Sequence, residues 1–274
     1  MQEDDMLRHP AVAGQFYKGT HEALRKQVDG FIIPVAEQKK AIGIVSPHAG
    51  LMYSGAVAGA VYSSIVIPDV IVLIGPNHTG LGAAVSIMAE GEWETPLGTV
   101  PIETALASSI LSKSPLVRAD SLAHLREHSL EVQLPFLQHF KEKFKIVPIQ
   151  VLDARFETCV ALGRAVASAV TDLYQGHGVL LVASSDMSHY ERAATAKEKD
   201  FKAIRHILNL DPEGLYKTVK MYGITMCGYG PAVAVMTASK ALGASKAELV
   251  KYMNSGEVSG DYEQVVGYAG VVIV

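Results

Sequence analysis

Three short polar loops, each carrying one histidine, follow three apolar, largely β-branched runs in this chain. Ser46-Pro47-His48-Ala49-Gly50 follows residues 42–45, and Gly75-Pro76-Asn77-His78-Thr79-Gly80 follows residues 71–74. Ser184-Ser185-Asp186-Met187-Ser188-His189-Tyr190 follows residues 180–183. Imidazole is the commonest protein ligand for zinc, iron and copper. His48 and His78, set in similar strand-then-proline contexts, are therefore the expected metal ligands. The bland alternative for each is a loop histidine that caps a helix or bonds a carbonyl. Neither His48 nor His78 belongs to a His-x-x-x-His helix, and no Cys-x-x-Cys pair reinforces the metal reading.

Cys227 lies in Thr225-Met226-Cys227-Gly228-Tyr229-Gly230-Pro231, a glycine-flanked turn ahead of a helix expected to begin at Pro231. A thiol at a helix N-terminus is expected to have a stabilised thiolate and a lowered pKa. The competing role is that of a small buried hydrophobe. Asp186 and His189, three apart in one loop, form a candidate acid/base pair in which the carboxylate orients the imidazole. Alternatively Asp186 caps the turn and His189 packs beside Tyr190. In Glu127-His128-Ser129-Leu130-Glu131, Ser129 is read as a helix N-cap with Glu131 near the positive helix end. His128 and Glu131 also suit a pocket rim. Cys159, inside an apolar helical pattern, is expected to be buried, inert and without a disulfide to Cys227.

The elements that must position these residues alternate between short strands and longer helices, the pattern of an α/β sheet covered on both faces. Strands are expected at residues 41–45, 70–74, 83–88, 145–150, 179–183, 248–253 and 267–274. Helices are expected at 21–31, 55–64, 103–111, 129–140, 156–174, 197–208, 212–222 and 231–242, and residues 93–98 read as a turn between two extended pieces. The expected fold is one three-layer αβα domain over 1–274 with a central mixed, mainly parallel sheet. In such sheets ligands bind beyond the carboxyl ends of the strands, where the three histidine loops fall.

The composition agrees. Hydrophobic residues make up 49% of the 274 residues and charged residues 19%, a balance suited to a large core. With 24 basic and 28 acidic side chains the net charge is -4, so no strong field marks a binder of nucleic acid or anionic membrane. No window carries the roughly 18 apolar residues of a membrane span. The N-terminus lacks a secretory pattern, and a cytoplasmic location is expected.

Several segments, taken in order, resemble the Memo family, including proteins labelled AmmeMemoRadiSam system protein B. They are Arg8-His-Pro-Ala-Val-Ala-Gly-Gln-Phe-Tyr17, Ser46-Pro-His-Ala-Gly50 with Tyr53-Ser-Gly55, Gly75-Pro-Asn-His78, Glu127-His-Ser-Leu-Glu131, Ser184-Ser-Asp186 with His189, and Met226-Cys-Gly228. That family in turn looks like the class III, LigB-type extradiol dioxygenases. The resemblance implies an αβα fold and a metal site formed by His48, His78 and Cys227, with Asp186 and His189 beside it. The dioxygenases hold Fe(II) with two histidines and a carboxylate, so a cysteine in third place departs from their pattern. A thiolate tilts the choice toward iron, with copper or zinc as alternatives. Kinship supplies a site and leaves the reaction open. The implied functions are a metal-dependent oxidoreductase acting on an unknown small, phenolic or diol-like substrate, a non-catalytic protein that binds metal or a peptide, or a metal-dependent hydrolase. The system name implies a radical-SAM partner, and neither nucleic acid nor membrane is expected. The oligomeric state is not legible.

Overall fold

The computed structural model describes residues 7–274. Its main sheet is built on four parallel strands in the order β2 (Gly43–Ser46), β9 (Val179–Ser184), β3 (Val70–Pro76), β8 (Lys145–Val151). All four are almost wholly buried, as expected of continuous Val/Ile/Leu runs sandwiched between helical layers. The flanks are largely antiparallel. β12 (Val265–Ile273) runs against β2 and carries both β11 (Ala247–Asn254) and β10 (His189–Glu191). On the other side β4 (Val85–Ile87) runs against β8 and pairs in parallel with β7 (Arg118–Ala119). The expected mixed α/β sheet is therefore present, with parallel pairing concentrated at its centre.

Helices α3 (Thr104–Lys113), α5 (Phe156–Tyr174) and α8 (Tyr229–Ala241) pack together along the sheet, as do α2 (Leu51–Ser63) and α4 (Leu134–Phe140). α1 (His21–Asp29) leans on α4, while α6 (Ala193–Leu208) covers β11 and β12 and contacts α7 (Pro212–Tyr222). The buried apolar side chains form one continuous cluster that includes Ile44, Ile71, Leu73, Ile146, Leu181 and Val271. Burial of each such side chain is worth about 1.5–3 kcal/mol. Among the described residues no helix is long and apolar enough to cross a membrane.

Local chemistry sets the ends of these elements. Asp211 accepts the Gly214 N–H and Pro212 opens α7, which stops at Gly223 in the left-handed region. α2 begins at Leu51, four residues before the expected Gly55, because the Leu51 N–H donates to Phe16 O and Ser54 Oγ to Ala49 O. The expected helix 129–140 is α-helical only over Leu134–Phe140. Its start is a 3-10 turn, Glu131–Gln133, whose side chains are engaged in tertiary hydrogen bonds. The turn expected over residues 93–98 is narrower, Pro96-Leu97 joining β5 (Glu92–Thr95) to β6 (Gly98–Pro101) in a hairpin. That hairpin joins β1 (Leu7–Arg8) in a separate three-stranded sheet that the sequence did not announce. A short helix α9 (Gly256–Ser259) completes the list of elements.

Candidate metal centre

β2, β3 and β9 run in parallel, so the loops at their carboxyl ends meet at one end of the sheet. His48 and His78 lie there with ring centroids 5.3 Å apart in an edge-to-face arrangement. Cys227 arrives from the turn before α8, its Sγ 3.2 Å from His48 Nε2. One ligand atom from each of His48, His78 and Cys227 falls within 4.8 Å of the others.

The hydrogen bonds decide which nitrogen each imidazole presents. Ser184 Oγ donates to Ser129 O at 2.6 Å and accepts from Gln133 Nε2 at 2.9 Å. Its single proton is thus committed, and in the 2.9 Å contact with His48 Nδ1 the imidazole N–H must be the donor. Gln133 is held for this task because Nε2 also donates to Pro47 O and Oε1 accepts from Tyr62. On His78, Nδ1 lies 2.9 Å from Glu127 Oε1, while Glu127 Oε2 accepts the His78 backbone N–H at 2.6 Å. An ionised carboxylate only accepts, so His78 also carries its proton on Nδ1. With Nδ1 protonated in each, the neutral form of either ring offers Nε2 as its lone pair, the form that ligation requires.

Electrostatics favour that state. Burial, with help from the neighbouring His128, His78 and His189, holds the His48 pKa well below the ordinary imidazole value, so the ring stays neutral. Burial pushes the Glu127 carboxyl up, but the hydrogen bond and charge of His78 outweigh it and bring the pKa to about 2. The Cys227 thiol behaves opposite to expectation. Burial, reinforced by the Asp186 carboxylate, raises its pKa, so in the metal-free protein it is a thiol. Proximity to the start of α8 does not offset removal from water, and a bound cation is what would deprotonate it.

Asp186 does not hold His189. Its Oδ1 accepts the backbone N–H groups of His48, at 2.7 Å, and Ala49, at 3.3 Å, which ties the β2 loop to the β9 loop. Burial raises its pKa to about 6. His189 Nδ1 donates instead to Thr225 O at 2.9 Å, and its backbone N–H donates to Thr225 Oγ1 at 2.7 Å. A carbonyl only accepts, so His189 carries its proton on Nδ1 and Nε2 is the lone pair of its neutral form. Its ring centroid is 5.9 Å from that of Tyr190, a residue 75% exposed in the left-handed backbone region.

Sequence reasoning passed over Glu127 as a site residue. It is fully buried and also lies 3.4 Å from His128 Nδ1. The available signal was its place beside His128 in a run otherwise read as helix capping. His128 stacks on His78 with centroids 4.8 Å apart and 19° between planes, meets His48 edge-on at 5.4 Å and packs against Phe16 at 4.7 Å. The second possible cation cluster, His78, Glu127 and His128, shares His78 with the first. Ser129 is no helix cap; its hydroxyl donates to Pro76 O. Glu131 is turned away from the site and binds the N-terminal arm, accepting from Ala11 N, Val12 N, Tyr17 Oη and the Arg8 guanidinium.

Two glycines are required by close approach. A Cβ on Gly228 would sit 2.3 Å from Ser184 O, and the Gly228 N–H donates to Ser185 Oγ, so the cysteine turn can lie against the β9 loop. A Cβ on Gly75 would meet Leu130 and Ser129 at under 3 Å. Cys159 is fully buried on α5, burial lifts its thiol pKa to about 12, and both cysteines are free.

Comparisons with known proteins identify the family. The family model described as Memo-like protein matches residues 8–272. A MEMO1 family protein of Methanothermobacter thermautotrophicus is 42% identical over 96% of this chain and 99% of its own length. Relatives bearing the same family name from Methanosarcina mazei and Aquifex aeolicus are each 45% identical, over 97% and 98% of this chain and 99% of their own. The chain belongs to the Memo-like family.

Proposed function

We propose that this protein is a metal-dependent oxidoreductase that binds one ion, Fe(II) in preference to copper or zinc, through His48, His78 and Cys227. Its substrate is a small phenolic or diol-like molecule. The observation that carries this reading is the pair of fixed Nδ1 protons: Ser184 and Glu127 each accept an Nδ1–H hydrogen bond and leave Nε2 of His48 and His78 as the ligating nitrogens, that of His48 being 3.2 Å from Cys227 Sγ. The donor set fits such an ion. Metal–nitrogen and metal–sulfur bonds of about 2.0–2.3 Å let two ligands of one ion lie up to about 4 Å apart, close to the 4.8 Å within which these atoms already fall. Two imidazoles and a thiolate are a soft donor set suited to iron, copper or zinc.

An ion so held would supply Lewis acidity and, if it is iron or copper, electron transfer. The remaining work falls to side chains. His189, its Nδ1–H fixed by Thr225 O, accepts a proton from a substrate hydroxyl at Nε2 and later returns it. Asp186 holds the His48 loop in place through two backbone amides. The association with a radical-SAM protein implied by the family's system name belongs to the same reading, with the product or a modified partner passing between them.

Protein purified without oxygen should contain about one iron per chain by elemental analysis, with a metal spectrum that changes in Cys227→Ser. Unchanged metal occupancy in both His48→Ala and Cys227→Ser would overturn the ligand assignment. Oxygen uptake with a panel of phenols and diols tests the reaction. His189→Ala should keep the metal and lose about 10²- to 10⁴-fold in rate. A metal-loaded protein inert toward the whole panel would instead be a binding protein.

A further inference from the structure

A large cavity lies at the far end of the sheet from the metal centre. It is an open chamber of about 1000 Å³ whose walls include Val70 and Lys145, the first residues of β3 and β8. His78 follows the last residue of β3, so the chamber and the metal loops are separated by the length of that strand, about 20 Å. Leu97 and Val100 of the hairpin, with Phe140, Phe144 and Tyr174, supply the apolar and aromatic part of a wall that otherwise carries charged and polar side chains.

A side pocket of about 50 Å³ shares Arg25, Leu97, Gln138 and His139 with this chamber and adds His21 and Val28. Its size suits one small polar head group, since a water occupies about 30 Å³ of liquid. His21 and Arg25 are one helical turn apart on α1 and so point to the same side. Neither makes an ion pair within the described residues. His139 faces Asp29 at 3.0 Å, and Gln138 is held by Thr95 and Gly98. In the chamber itself Asp69 pairs with Lys141 and Glu103 with Lys145, and the charges of Glu142 and Lys143 cancel in number. Arg25 is therefore a cation with no ion-pair partner among the described residues, placed where the head-group pocket meets the chamber.

We propose that this cavity is a second ligand site, independent of the metal, for an amphipathic organic anion. The acyl or aromatic body lies along Leu97, Phe140 and Phe144, and the anionic head is held by Arg25 with His21 beside it. Apolar pockets of up to about 1000 Å³ with a few convergent polar groups are the usual form of small-molecule sites, and a guanidinium at the junction selects an anion through paired N–H donors.

The test uses the intact protein and 1-anilinonaphthalene-8-sulfonate as a fluorescent probe, with dodecanoate and inorganic phosphate as competitors. The expected result is one probe per chain, displaced by dodecanoate and untouched by phosphate. Arg25→Glu and Leu97→Asp should each weaken the probe at least tenfold, while His48→Ala leaves it unchanged and Arg25→Glu keeps full metal occupancy. Displacement by phosphate alone would reduce the site to a simple anion pocket and overturn the amphipathic assignment. Probe affinity indifferent to both Arg25→Glu and Leu97→Asp, or lost in His48→Ala, would overturn the site itself. Arg25 is exposed on α1, so its replacement leaves the core intact, and circular dichroism of both variants checks this.

Discussion

Glu127 and Glu131 are carboxylates on one short segment, both fully buried, and their surroundings differ in kind. Glu131 accepts from two backbone amides, a phenol and a guanidinium, all from residues 8–17, and Arg8 completes its own pairing on His124 O and Glu127 O while lying 4.3 Å over the Trp93 ring. The Glu131 carboxylate and the Arg8 guanidinium are thus both satisfied within the protein, which leaves neither free for a ligand. Glu127 is also satisfied, but one of its partners is an imidazole whose second nitrogen is thereby left bare and facing the metal pocket. A closed network holds the fold together, whereas a network that ends on an unfilled lone pair positions chemistry. The distinction is visible only when each donor and acceptor is counted.

The largest expected effect tests the closed side of this contrast. Glu131→Ala strands the Arg8 charge in the core and should cost about 3–5 kcal/mol of stability by denaturant unfolding, while folded protein still binds metal with near-normal occupancy. Loss of metal with little loss of stability would reverse the roles assigned to the two glutamates. Cys227→Ser should act on the open side alone. Metal affinity should fall at least a hundredfold in competition with a chelator, with metal-free stability within about 1 kcal/mol of wild type. Glu127→Gln keeps the shape of the side chain and removes its charge. It should weaken metal binding by about 10- to 100-fold, the usual consequence of altering the partner that orients a ligand histidine, and an unchanged affinity would demote Glu127 to packing.

The smallest effect concerns pH. Asp186 has a folded pKa raised by burial to about 6 from an ordinary 3.8, so the fold prefers its neutral form. Its favourable contribution is present below about pH 4 and is lost as pH rises through about 6. Asp186→Asn retains an oxygen for the His48 and Ala49 amides. In metal-free protein it should be more stable than wild type by about 1–2 kcal/mol at pH 8 and equal to it at pH 4. Equal urea midpoints at both pH values would show that the carboxyl is better solvated than its burial implies.

Much of this protein was legible in the residues themselves. The seven expected strands all lie on strands of the main sheet, because apolar β-branched runs four to nine residues long between helical periods have few other places to go. The loops bearing His48, His78 and His189 could be placed at the carboxyl ends of those strands for the same reason, and the segment order carried the family resemblance. Hydrogen-bond partners were another matter, since they depend on residues far apart in the chain. Asp186 and His189, three apart and read as a pair, bond to His48 N and Thr225 O, 138 and 36 positions away. The Cys227 pKa was misjudged because a helix start is a local feature, whereas burial is a property of the assembled loops. Glu127 and Glu131 look alike in the sequence, each an acid near a histidine and a serine. Only the packing of the N-terminal arm against one, and of the β3 loop against the other, decided which would brace the fold and which would orient a ligand, because a buried carboxylate takes its role from the donors that reach it.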